Sequence, residues 1–73
     1  MVFEKLRAII CEQLELEEND VTLDTTFYDI GADDIDMVDI AMSIEDEFNI
    51  EITEETLERF ETVSDIVDYI EDN

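Results

Sequence analysis

Four carboxylates, Asp29, Asp33, Asp34 and Asp36, crowd around Gly31, the chain's single glycine. Carboxylates grouped at a turn can bind a hard cation, share protons or cap a helix. Calcium takes oxygen ligands of this kind, but the run lacks the alternating ligands and distal glutamate of a calcium loop. No metal site is assigned, and a solvated acidic face is the reading retained. Acid–base work is not assigned either, because paired carboxylates on so acidic a chain carry no information about it. With no histidine, neither a Ser-His nor a Cys-His pair can form. Cys11 lies beside an apolar arc, where a thiol packs as a small hydrophobe. What remains is a turn that leads with Asp33-Asp34 into a helix, and aspartate there suits both N-capping and the helix dipole.

The elements that hold this turn are readable from periodicity. Val2, Phe3, Leu6, Ile9, Ile10 and Leu14 recur every three or four residues, which predicts an amphipathic first helix. The period fails between Glu15 and Asp33. Glu17-Glu18-Asn19-Asp20 reads as a turn, and Val21, Leu23, Phe27 and Ile30 as apolar anchors of a long loop. Asp24 with Thr25 and Thr26 suggests a short capped turn, and Gly31 a backbone shape other residues resist. Loops of this length in small domains are commonly functional.

A second helix is expected from Asp33 or Asp34 to Phe48 or Asn49. Its apolar arc is broad enough to face a core and still leave Ile35, Val38 and Met42 near the surface. Ile50-Glu51-Ile52 reads as an extended connector. Thr53 opens a short third helix through Leu57 and Phe60, its capping box incomplete because Thr56 stands where Glu or Gln would complete it. Thr62 or Ser64 caps a last helix carrying Val63, Ile66, Val67, Tyr69 and Ile70. The fold class is therefore all-α, a helical bundle in one domain over residues 1–73. Phe3, Phe27, Phe48 and Phe60 are expected in its core.

Composition narrows the partners. The 73 residues hold 24 acidic and three basic side chains, Lys5, Arg7 and Arg59, for a formal net charge of -21. Such a surface repels nucleic acid and anionic lipid and attracts basic protein patches. No run is long and apolar enough for membrane insertion, and no basic-then-apolar leader is present. One cysteine allows no internal disulfide, which fits a reducing, cytoplasmic setting.

Phe27-Tyr28-Asp29-Ile30-Gly31-Ala32-Asp33-Asp34-Ile35-Asp36, followed by Ile44-Glu45-Asp46-Glu47-Phe48-Asn49-Ile50-Glu51-Ile52, resembles the acyl carrier protein family along essentially the whole chain. The resemblance implies a four-helix bundle with a long loop between the first two helices and a short third helix. It implies a non-enzymatic carrier in fatty-acid or related synthesis, with acyl groups held on 4′-phosphopantetheine tethered to a serine at the start of the second helix. That serine maps onto Asp34, and the motif leucine onto Ile35. By the same resemblance Asp33, Ile35, Asp36, Val38, Asp39, Met42 and Glu45 form a face that docks on basic surfaces of partner enzymes. Ile40, Ala41 and Ile44 then lie toward the interior that shelters acyl chains, and the protein is a monomer.

The tether needs an alcohol oxygen, and Asp34 offers a carboxylate. Ser43 lies mid-helix, Ser64 belongs to the last helix, and Thr25 and Thr26 precede the glycine. No prosthetic group is therefore expected on the chain as written. Three readings of Asp34 stay open: a natural loss with capping, deliberate replacement of a serine, and imitation of a phosphate. The alternative class is an acidic interaction or weak cation-binding module unrelated to acyl transfer.

Overall fold

Threonine and aspartate decide where the helices begin. The computed structural model describes residues 2–73, with α1 at Val2–Leu14, α2 at Asp34–Phe48, α3 at Glu54–Glu58 and α4 at Val63–Glu71. Thr62 caps α4: its hydroxyl accepts from Asp65 N, and Asp65 in turn accepts from Thr62 N. Between Thr62 and Ser64 the sequence left the cap open; Thr62 takes it, with the Ser64 hydroxyl 2.9 Å from its own. Thr53 caps α3 through Thr56 N alone, and Thr56 completes no reciprocal bond to the Thr53 backbone. Asn49 ends α2 in the left-handed conformation at φ 55°, a shape asparagine tolerates.

The expected turn at residues 17–20 is one turn of 3-10 helix, Glu18–Asp20, in which Asp20 Oδ2 accepts from Glu17 N at 3.1 Å and Asp20 N–H donates to the Glu17 carbonyl at 2.9 Å. The capped turn expected from Asp24 uses threonines instead. Thr22 N–H donates to Thr25 Oγ1 at 2.8 Å, and Asp29 N–H donates to Thr26 Oγ1 at 3.1 Å. Gly31 sits at φ +73°, as the turn requires.

The long loop is stitched to the start of α4. Phe27 N–H donates to the Glu61 carbonyl, Val63 N–H to Thr25 and Ser64 N–H to Leu23, all at 3.0–3.1 Å. This places one antiparallel bridge, Thr26 with Thr62, among described residues whose other regular elements are helical. Through these bonds the loop carries Val21 and Phe27 into the core, where they meet Leu6 and Ile10 of α1, Ile40 and Ile44 of α2, and Val63, Ile66, Val67 and Ile70 of α4. Each fully buried aliphatic side chain contributes roughly 1.5–3 kcal/mol. Of the four phenylalanines only Phe27 is fully buried. Phe3, Phe48 and Phe60 are half-buried against the core edge, Phe3 beneath the Arg7 guanidinium and Phe60 edge-on to Tyr69.

α3 contributes no fully buried residue. The connector before it is held by side chains of its neighbours: Glu45 Oε2 accepts from Ile52 N at 2.8 Å, and the Tyr69 hydroxyl donates to the Glu51 carbonyl at 2.8 Å. Five residues of helix are too few to be stable alone, so these clips and the half-buried Leu57 and Phe60 hold α3 in place.

Candidate functional site: the start of the second helix

The turn identified from sequence converges on the N-terminus of α2. Asp33 is the cap. Its Oδ1 accepts from Asp36 N at 2.8 Å, and Asp36 Oδ2 accepts from Asp33 N at 3.3 Å. This corrects the capping role read for Asp34. Because Asp33 has already taken the position, Asp34 is the first helical residue, and its carboxylate joins no hydrogen bond or ion pair among the described residues. What Asp34 retains of that reading is its charge beside the positive end of the helix dipole. Its side chain is exposed.

Beyond Asp34 one face of α2 is apolar and open. Ile35 is 72% exposed, Val38 48% and Met42 58%, so these three form a stripe facing solvent. Asp39 flanks it, accepting from Gln13 Nε2 of α1 at 3.3 Å. Glu45, expected among the free docking carboxylates, is half-buried and has one oxygen committed to Ile52 N. The opposite face of the same helix supplies Ile40, Ala41 and Ile44 to the closed core. The 3.6-residue period accounts for both faces: positions 35, 38 and 42 share one side, and 40 and 44 the other.

A groove of about 500 Å³ opens between α2, α3 and the long loop, with Asp34 at its edge. Phe27, Met37, Leu57 and Phe60 provide apolar walls, and Tyr28, Asp34, Glu54 and Glu58 the rim. Ile40, Ala41 and Ile44, expected by resemblance to shelter an acyl chain, do not line it. Sequence reasoning missed this role for Met37, Leu57 and Phe60; of the three, only Phe60 was expected in the core. The available signal was the shortness of α3, too short to cover the apolar face it leans on.

Elsewhere the candidates are quiet. Burial pushes the Cys11 thiol up, against the opposing pull of Arg7 and with the help of Glu18 and Asp20, the reverse of what an activated thiolate needs. Backbone N–H groups of Glu61 and Thr62 hold the Asp65 carboxyl below its usual range, which is a capping effect. All three basic side chains are paired, Lys5 with Glu47, Arg7 with Glu18 and Arg59 with Glu55. Among the described residues no group of three or more His, Cys, Asp or Glu side chains is arranged to hold a metal ion, and no helix is long and apolar enough to cross a membrane.

The fold is thus a small helical bundle with the N-terminus of α2 exposed beside an apolar groove. Residues 4–70 match the family model described as a phosphopantetheine attachment site. An acyl carrier protein of Onion yellows phytoplasma is 47% identical over 74 aligned positions, covering all of this chain and 97% of that protein. An acyl carrier protein of Clostridium perfringens is 43% identical over 70 positions, covering 94% of this chain and 92% of the relative. The chain belongs to the acyl carrier protein family. Its members are non-catalytic carriers that work with biosynthetic enzymes, fatty-acid biosynthesis being the family role.

Proposed function

We propose that this chain keeps the family's docking surface and, as written, does not carry the family's arm. The observation that carries this reading is Asp34 as the exposed first residue of α2, where the resemblance puts the attachment serine. A phosphodiester to 4′-phosphopantetheine needs an alcohol at that position. A carboxylate would form only an acyl phosphate, which hydrolyses readily. The residues present therefore do not fit the covalent group.

Docking does not depend on the arm. The Ile35, Val38 and Met42 stripe is flanked by Asp33, Asp36, Asp39 and Glu45, and a net charge of -21 draws in basic enzyme surfaces at long range. Ile40, Ala41 and Ile44 support that helix from the core side. The protein acts in this reading as a cytoplasmic monomer that competes for, or regulates, acyl-handling enzymes.

The test is intact mass after incubation with coenzyme A and a broad-specificity phosphopantetheinyl transferase. The chain as given should show no increase, and Asp34→Ser should gain one phosphopantetheine. A mass increase on the unaltered sequence overturns the reading. An inert Asp34→Ser variant that is still folded would show that the scaffold is not a substrate at all.

A further inference from the structure

We infer that Tyr28, outside α2, belongs to the docking surface and is the point at which that surface selects an arginine of its partner. This rests on the reading that α2 meets basic enzyme surfaces, and adds to it a residue and a side-chain preference. Tyr28 is 90% exposed, more than any other large apolar side chain among the described residues. The other tyrosine, Tyr69, engages the Glu51 carbonyl through its hydroxyl and Phe60 through its ring. Tyr28 makes neither kind of contact among the described residues.

A lone exposed aromatic is ordinary. Two observations set this one apart. Its backbone is pinned: Phe27 before it is buried, Asp29 N–H donates to both the carbonyl and the hydroxyl of Thr26, and Gly31 N–H donates to the Tyr28 carbonyl. A ring held out from a fixed turn has little freedom left to lose when a partner covers it. Tyr28 also adjoins the exposed stripe of α2, because Tyr28, Asp34 and Val38 border one groove mouth. It thereby carries the Ile35, Val38 and Met42 stripe onto the loop.

The chemistry of the partner follows from charge. An aromatic face attracts a cation. No basic side chain of this chain borders that mouth, and Lys5, Arg7 and Arg59 are each paired elsewhere. The cation therefore comes from another molecule, and a net charge of -21 turns away a second copy of this chain. Arginine fits better than lysine. Its planar guanidinium stacks on a ring and leaves its edge N–H groups free for a carboxylate such as Asp34, whereas an ammonium is a point charge.

The experiment is fluorescence anisotropy at physiological ionic strength with two labelled amphipathic helical peptides. Each carries leucine on one face and the same number of cations on the other, all arginine in one peptide and all lysine in its counterpart. Arginine also grips carboxylates better than lysine, so the preference alone decides nothing, and its dependence on the ring decides. The arginine peptide should bind the parent more tightly. Tyr28→Phe should leave the ratio of the two affinities unchanged. Tyr28→Leu keeps the apolar area but loses the aromatic face, and should lower the ratio about threefold. Met42→Gln, at an exposed stripe position, should weaken both peptides alike and leave the ratio as it was. Amide shifts with the arginine peptide should include residues 27–32 as well as the first half of α2.

A ratio unmoved by Tyr28→Leu, or lowered equally by Tyr28→Phe, overturns the inference and leaves the α2 reading standing. Binding that Met42→Gln does not weaken overturns the α2 reading itself, and no binding of either peptide overturns both. Shifts at Tyr28 that follow protein concentration alone would assign the ring to a second copy and overturn the inference as well.

Discussion

α3 and α4 start in the same way and end as different kinds of element. Each opens on a threonine whose hydroxyl accepts from the amide three residues on. In α4 that third residue is Asp65, which returns the bond, and the helix then buries Val63, Ile66, Val67 and Ile70. In α3 the third residue is Thr56, the cap is one-sided, and no residue is fully buried. A cap positions a helix, but burial decides whether it belongs to the framework. α4 is framework, and α3 is the peripheral wall of a groove.

The comparison is broken most directly in the core. Ile66→Ala should cost about 2–5 kcal/mol in chemical denaturation, because Ile66 is wholly enclosed. Leu57→Ala, at a half-buried groove wall, should cost about 1 kcal/mol or less. Similar losses at both sites would make α3 as integral as α4.

Charge sharpens the same contrast. Glu51, Glu54, Glu55, Glu58 and Glu61 surround α3 with Arg59 as their one neighbouring cation in sequence. Added sodium chloride screens their repulsion. The melting temperature should rise by several degrees, a shift that corresponds to roughly 1 kcal/mol in a domain of this size. Amide exchange should slow more in α3 than in α4. A melting temperature independent of salt would remove self-repulsion from the account.

The smallest expected effect lies in the cap of α4. The folded carboxyl of Asp65 titrates below its unfolded value, through backbone N–H bonds from Glu61 and Thr62. Its stabilising contribution is therefore complete above the unfolded value of about 3.9 and is lost as pH falls through the lowered folded value. Asp65→Asn should be less stable than the parent at pH 7, and the gap should close as acid protonates the folded carboxyl below its lowered value. A gap that persists in acid would mean the carboxylate charge is irrelevant to the cap.

The bundle was legible because its signals are local. The spacing of Leu6 and Ile10, and of Ile66 and Ile70, is enough to predict a face, and Thr62 or Asp33 enough to predict a start. The exposed apolar stripe was legible for the same reason, since Ile35, Val38 and Met42 fall opposite Ile40 and Ile44 on any α-helix. The groove was not. Whether Met37, Leu57 and Phe60 meet inside a core or line a cleft depends on how far α3 stands from α2, and no spacing in the chain encodes that distance. The cap was misread at Asp34 because two adjacent aspartates satisfy the same local rule; only backbone geometry awards it to Asp33, which lies in the extended region while Asp34 is helical.

The amino-acid order alone determined that residue 34 is a carboxylate, where the family resemblance puts a tethering alcohol, because that is a matter of covalent identity. It determined the helical period and the net charge for the same reason. Tertiary structure decided that this carboxylate is free rather than capping, that Glu45 is tied to Ile52, and that an acidic-rimmed groove lies alongside. The cap and the Glu45 clip follow from backbone geometry within a few residues, which the letters leave open. The groove depends on distances between segments far apart in the chain, which exist only once the helices have packed.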